Sequence, residues 1–152
     1  LKTINNFEPL KFRQEVVYNS KKIKIINDSK STTLSSTIPF LKKNEKIYWI
    51  LGGLFKKGDK FNLNRMYFKN IKAFIYGKDK KIFSKLLNKK IEVNLKKNLD
   101  EVLNLIFNNL KKEKEKVTIL FSPAAASFDQ YRNFNYRGKD FNKLIKRHIS
   151  KI

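Results

Sequence analysis

Three apolar runs, each cut off by residues that end a strand, constrain this chain more than any other feature. Residues 47–51 (Ile-Tyr-Trp-Ile-Leu) stop at Gly52-Gly53, residues 71–76 stop at Gly77, and residues 117–121 stop at Ser122-Pro123. The first is apolar at every position and the other two at all but one, rather than at alternate ones, which is what a strand buried on both faces requires. Helical periodicity lies between and after these runs. Leu99, Val102, Leu103, Ile106, Phe107 and Leu110 recur at i, i+3, i+4, i+7, i+8 and i+11, with Asp100 and Glu101 near the positive end of the helix dipole. Phe141, Leu144, Ile145, His148 and Ile152 repeat much of that pattern at the C-terminus. Shorter β-type runs at 16–18 and 23–26 flank the polar Asn19-Ser20-Lys21-Lys22, as in a hairpin or two neighbouring strands, and residues 91–95 add another short strand. Residues 33–41 read as a short helix with Ser and Thr available as N-caps, shortened or bent by Pro39.

Strands alternating with helices predict one α/β domain, a Rossmann-like, mostly parallel sheet with helices on both faces and right-handed crossovers. At 152 residues, 41% hydrophobic and 13% aromatic, the chain can bury a core of its own. Open sheets of this kind bind ligands beyond the carboxyl ends of their strands. Four segments qualify by following a strand: residues 27–33, 52–59, 77–81 and 122–134. The first, second and fourth carry unusual chemistry.

Composition narrows the function further. There is no cysteine, so neither a disulfide framework nor a thiolate metal site is available, and the single histidine, His148, leaves too few ligands for a typical zinc centre. No apolar run is long enough for a membrane span and no secretory pattern opens the sequence, which fits the cytoplasm. A formal charge of +22 invites a nucleic-acid reading through phosphate contacts. Against it, lysine, asparagine, isoleucine and phenylalanine are all plentiful, as A- and T-rich codons would make them in any protein. The lysine doublets are also spread along the chain rather than gathered in one arm. The lysine-rich residues 111–116 read as a solvated helix end or turn. Residues 1–10 read as a connection from an upstream domain, and the chain as an excised or truncated piece.

Asn27-Asp28-Ser29-Lys30-Ser31-Thr32-Thr33 sets a carboxylate, an ammonium and several hydroxyls directly before a helix, where open backbone N–H groups favour an anion. The loop either holds a phosphate or carboxylate or serves only to cap the helix. Gly52-Gly53-Leu54-Phe55-Lys56-Lys57-Gly58 lets backbone pass close to a ligand while a lysine reaches in, or it is a solvated turn. It is not a Walker loop, and that pattern occurs nowhere in the chain. Ser122-Pro123-Ala124-Ala125-Ala126-Ser127-Phe128-Asp129-Gln130 packs small residues at a strand end and then offers a hydroxyl, which suits either a carboxylate pocket or a tightly packed turn. His148 lies 21 residues beyond Ser127 on an apolar helix face, so a serine-hydrolase triad is poorly supported and a packed or surface histidine is the simpler reading.

These loops, in this order, resemble the C-terminal domain of the Mur ligases, in particular of the members that add D-glutamate, over nearly the whole chain. Phe12-Arg13-Gln14-Glu15-Val16-Val17 resembles the segment that opens that domain, with Phe12 where histidine is common; Asn27-Asp28-Ser29-Lys30 is the most specific match. Gly52-Gly53 with Lys56, then Ser122-Pro123 through Ser127, Asp129 and Gln130 to Asn133-Phe134 and Arg137-Gly138, complete it. Ser31 replaces a common alanine and Ala125 a frequent cysteine. The resemblance implies an ATP-dependent ligase of peptidoglycan synthesis, serving cell-wall biogenesis, cell shape and cell division. It would join the carboxylate of UDP-N-acetylmuramoyl-L-alanine to the amine of D-glutamate through an acyl phosphate. By that resemblance Thr32 and Lys56 hold one carboxylate of D-glutamate, and Ser127 and the backbone at Phe134 hold the other. Arg13 and Asp28 lie near the nucleotide, and Lys30 near the phosphates or the reacting carboxyl. The whole of residues 1–152 would then be the amino-acid-binding domain, with no metal ligand of its own. The ATP- and magnesium-binding central domain and the UDP-binding N-terminal domain would lie upstream, and this piece alone would not catalyse ligation. Competing readings are another Mur-like ligase domain such as that of folylpolyglutamate synthetase, a basic nucleic-acid-binding module, and a non-enzymatic remnant.

Overall fold

The computed structural model describes residues 11–152; the expected N-terminal connection, residues 1–10, lies outside the described residues. A six-stranded sheet runs in the order β1-β2-β6-β3-β4-β5. Its strands are β1 (Glu15–Asn19), β2 (Ile23–Asn27), β3 (Lys46–Gly52), β4 (Ile71–Tyr76), β5 (Glu92–Leu95) and β6 (Val117–Phe121). β2, β6, β3, β4 and β5 are mutually parallel, and β1 joins β2 as an antiparallel hairpin partner at one edge. The three apolar runs became the three central strands, buried almost throughout, whereas the edge strands β1 and β5 are half-buried or exposed.

Alternation along β3 shows how one run feeds two cores. Ile47, Trp49 and Leu51 pack on one face with α1 (Leu34–Leu41) and α2 (Lys80–Leu87). Tyr48 and Ile50 pack on the other with α3 (Leu99–Leu110) and α4 (Phe134–Ile149). Both faces of the sheet are therefore covered, as the sequence predicts. Each of α1, α3 and α4 starts at a side-chain cap, with Thr33, Asn98 and Asn133 accepting backbone amides. Pro39 lies inside α1 without ending it before Leu41.

Some expectations need amendment. α2 and a 3₁₀ helix at Arg65–Asn70 have no counterpart among the elements singled out from the sequence, and Lys80 and Lys81 belong to α2 rather than to a loop. The final helix stops at Ile149, so Ile152 lies beyond it and is exposed, while Phe141, Leu144 and Ile145 pack in the core. The lysine-rich residues 111–116 are mostly exposed, yet Glu113 among them is bound by the Lys46 ammonium and the Tyr48 hydroxyl, which ties the end of α3 to β3. His148 packs, stacked on Phe107 with ring centroids 4.7 Å apart, and burial lowers its pKa.

Order along the sheet decides where a ligand can sit. β6 lies between β2 and β3, and the chain leaves it toward α4 on one face, while its neighbours lead to elements packed on the other face. Connections that diverge to opposite faces from adjacent parallel strands open a crevice at their carboxyl ends. That edge carries Asn27-Asp28, Gly52-Gly53, Gly77 and Ser122-Pro123.

Gly138, on the first turns of α4, makes room for Phe12: a Cβ there would stand 2.5 Å from the buried Phe12 ring. Gly138→Ala should lower stability in urea unfolding by about 1–3 kcal/mol through overpacking, despite the better helix propensity of alanine. Combining it with Phe12→Leu should cost less than the two single changes summed.

Candidate functional site

The loop after β2 opens as a continuation of the sheet, with the Asp28 amide donating to Phe121 O at 2.7 Å. Asn27 Oδ1 then accepts from the Ser29 amide at 3.1 Å while its Nδ2 donates to Gly138 O and Asn142 Oδ1 on α4. These bonds fix the direction of the next residues. Asp28, 4% exposed, accepts from the Ser122 hydroxyl at 2.8 Å and from the Gln14 amide at 3.2 Å. Behind Ser122 a chain of hydroxyls continues through Thr37 at 2.6 Å to Ser31 at 2.9 Å and Ser36 at 2.9 Å. Burial raises the Asp28 pKa, and the Ser122 and Gln14 bonds, then Arg13 and Arg137, oppose that rise.

Arg137 is the largest charged group in the interior, 1% exposed. Its guanidinium donates to Ser29 Oγ at 3.1 Å, Ala125 O at 2.8 Å, Ser29 O at 2.6 Å and Ser31 O at 3.4 Å. One side chain on α4 thus clamps the loop after β2 to the loop after β6. Its planar fork suits the task, since a lysine would present a single charged point in its place. Burial lowers its pKa, partly offset by Tyr76, Asp129, Tyr131 and Asp28 around it.

The loops after β3 and β6 are zipped together. Leu54 and Ala126 form an antiparallel bridge with N–O distances of 3.0 and 3.2 Å, and the Gly52 amide donates to Pro123 O at 2.9 Å. A side chain at Gly53 would put its Cβ 2.4 Å from Ala126 O, so the zipper demands glycine there. The bridge fixes Lys56 two residues beyond Leu54 and Ser127 one residue beyond Ala126. The loop after β4 joins them, for Asp129 accepts the Lys78 amide at 3.1 Å and the Asp79 amide donates to Gly53 O at 3.2 Å. Tyr131 supports the same turn, its amide donating to Ser127 O at 2.8 Å and its hydroxyl to Asp140, with its pKa raised by burial and by that carboxylate.

Of the residues singled out from the sequence, Arg13, Asp28, Lys30 and Thr32 line one open cavity of about 290 Å³, with Gln14, Ser31, Ser36 and Phe40. Arg13 and Thr32 are exposed, Lys30 is half-buried, and the Lys30 Nζ lies 5.9 Å from the centre of the Phe134 ring. Lys56, exposed, and Ser127, 4% exposed, are held at the same sheet edge by the zipper rather than in that cavity. The Phe134 carbonyl accepts from Ser29 Oγ at 2.9 Å; Asn133 Oδ1 takes the amides of Asn135 and Tyr136, and no described residue takes the Phe134 N–H. A larger cavity of about 550 Å³ sits at the opposite, amino ends of the strands between the ends of α3 and α4. It contains none of the residues just named, so size alone does not locate the site.

The carboxyl-edge arrangement therefore offers cations, hydroxyls and an open amide on three mutually braced loops, which suits a ligand with more than one anionic group. The chain is 35% identical over 144 residues to the UDP-N-acetylmuramoylalanine–D-glutamate ligase of Wolbachia sp. subsp. Brugia malayi, covering 95% of this chain and 29% of that protein. Ligases of the same name match from Rickettsia felis, 33% identical over all of this chain and 34% of the relative, and from Hydrogenobaculum sp., 35% identical over 98% and 36%. The chain is homologous to a domain-sized part of the Mur ligases. It spans about a third of the length of these curated relatives, consistent with the C-terminal domain of the D-glutamate-adding ligases. The crystal structure of a murein peptide ligase from Psychrobacter arcticus superposes with a TM-score of 0.51 at 8% identity, covering 98% of this chain and 31% of that one, and supports the fold. No protein-family model matches the chain.

Asp28 gives a pH test. A carboxyl whose pKa is raised by folding contributes its full stability below the ordinary value of 3.8 and loses it as pH rises through the raised value. Asp28→Asn cannot ionise and escapes that loss. The unfolding free energy of the wild type minus that of the variant should fall from about pH 3 to about pH 7; a difference that rises instead would mean the bonds from Ser122 and Gln14 outweigh burial.

Proposed function

We propose that this chain is the D-glutamate-binding domain of a cytoplasmic, ATP-dependent ligase that forms the amide between UDP-N-acetylmuramoyl-L-alanine and D-glutamate. The observation that carries the reading is the convergence of three strand-end loops, bearing Thr32, Lys56 and Ser127, beside the N-terminus of α4. A dianionic amino acid needs hydrogen-bonding or cationic partners at both ends, each charge-assisted bond contributing roughly 1.5–3 kcal/mol. Thr32 and Lys56 supply one end; Ser127 and the Phe134 amide, at the positive end of α4, supply the other.

Chemistry in this domain is positioning. Holding the amine in line with an activated carboxyl turns a bimolecular encounter into an intramolecular one, and nearby cations offset the charge that develops. Arg13 and Lys30, lining one cavity, are the residues of this chain suited to face phosphate oxygens. ATP supplies the activation of the carboxyl. By the family resemblance, magnesium would be held mainly by the remainder of the full-length protein.

In the complete protein, Lys56→Ala and Ser127→Ala should each raise the D-glutamate concentration giving half-maximal phosphate release by about tenfold or more, as loss of one charge-assisted bond requires, with little change in the ATP requirement. Equal effects on both substrates would contradict the assignment.

A further inference from the structure

Lys56 and Thr32 come from different loops, and nothing in either loop alone sets the distance between them. Two carboxylates hold the Lys56 loop, and one of them reaches the helix that follows Thr32. Asp59, three residues beyond Lys56, accepts the Leu34 amide at 2.6 Å, the first amide of α1, while the Asp59 amide donates to Lys56 O at 3.0 Å. The end of the Lys56 loop is thereby tied to the helix that begins just after Thr32. At the other end of the loop, Asp79 accepts the Phe55 amide at 2.8 Å, one residue before Lys56.

Asp79 shows that this bracing is more than local turn chemistry. It occupies the N-cap of α2, where aspartate ordinarily accepts an amide of its own helix, worth about 1 kcal/mol. Its side chain makes no such bond, and its carboxylate serves the Lys56 loop instead. α1 has its own cap as well, since Thr33 Oγ1 accepts the Ser36 amide at 3.2 Å. The Asp59 bond is therefore an additional link between the two loops.

We propose that Asp59 is a positioning residue that couples Lys56 to Thr32 and so sets the geometry of the amino-acid carboxylate seat, with Asp79 bracing the loop's other end. This rests on the D-glutamate reading above. Electrostatics alone make the opposite prediction: removing a negative charge beside an anion seat tightens anion binding, whereas loosening the loop weakens it.

The test is phosphate release by the complete ligase as D-glutamate and ATP are varied in turn, for Asp59→Ala, Asp59→Asn and Lys56→Ala. Asp59→Ala should raise the half-saturating D-glutamate concentration about tenfold, as a small misplacement of a binding group does, and leave that for ATP within about twofold. Asp59→Asn, which keeps an oxygen to accept the Leu34 amide, should restore most of the loss. If Lys56→Ala raises the D-glutamate requirement while Asp59→Ala leaves it unchanged or lowers it, the positioning role is overturned and the substrate reading stands. If Lys56→Ala has no effect on D-glutamate, the substrate reading fails and this inference with it. Should Asp59→Ala not fold, Asp59→Glu keeps charge and acceptor but shifts the loop by one methylene. A selective rise in the D-glutamate requirement then supports the role, and its absence overturns it.

Discussion

A guanidinium held in the interior, with no carboxylate among the described residues in its grasp, governs the working edge of this domain. Arg137 donates to backbone carbonyls of Ser29, Ser31 and Ala125 and to the Ser29 hydroxyl. Burying a cation is tolerable only when its donors are satisfied, so the loops after β2 and β6 must adopt the shapes that present those oxygens. Gly138 follows from the same requirement, because the helix that carries Arg137 must lie close against Phe12. The Ser29 hydroxyl passes the constraint on to the Phe134 carbonyl and hence to the start of α4.

Around that fixed point the site is assembled from pieces that are individually ordinary. A hydroxyl chain from Asp28 through Ser122, Thr37 and Ser31 underlies the first loop, and an antiparallel bridge stitches the second to the third. Aspartates 59, 79 and 129 each accept a backbone amide from a different segment, Asp59 from the start of α1 and the other two from neighbouring loops. Preorganisation of this kind removes the ordering cost a ligand would otherwise meet on binding. Of the side chains proposed to touch the ligand, Thr32 and Lys56 stay exposed on this braced frame, whereas Ser127 is buried.

Much of this was legible in the sequence. Predominantly apolar runs ending in glycine or Ser-Pro identify three interior strands, and the loops that follow such strands are where the cations and hydroxyls stand. α2 was obscure because only Phe83 and Leu87 of its eight residues are buried, and the 3₁₀ helix has no buried residue to impose a period. The three aspartates were obscure for a different reason: their partners lie 25, 24 and 51 residues away, and tertiary bonds to backbone leave no mark on sequence spacing. Arg137 could be seen as part of a family motif, but the clamp it makes depends on carbonyl directions that only folding sets.

The most direct measurement is ATP-dependent phosphate release by the complete protein supplied with UDP-N-acetylmuramoyl-L-alanine, comparing D-glutamate, L-glutamate and no amino acid. Release that requires D-glutamate and is not supported by its mirror image is the expected result. Release that is indifferent to the amino acid, or that follows L-glutamate, in a folded and complete protein would contradict the account.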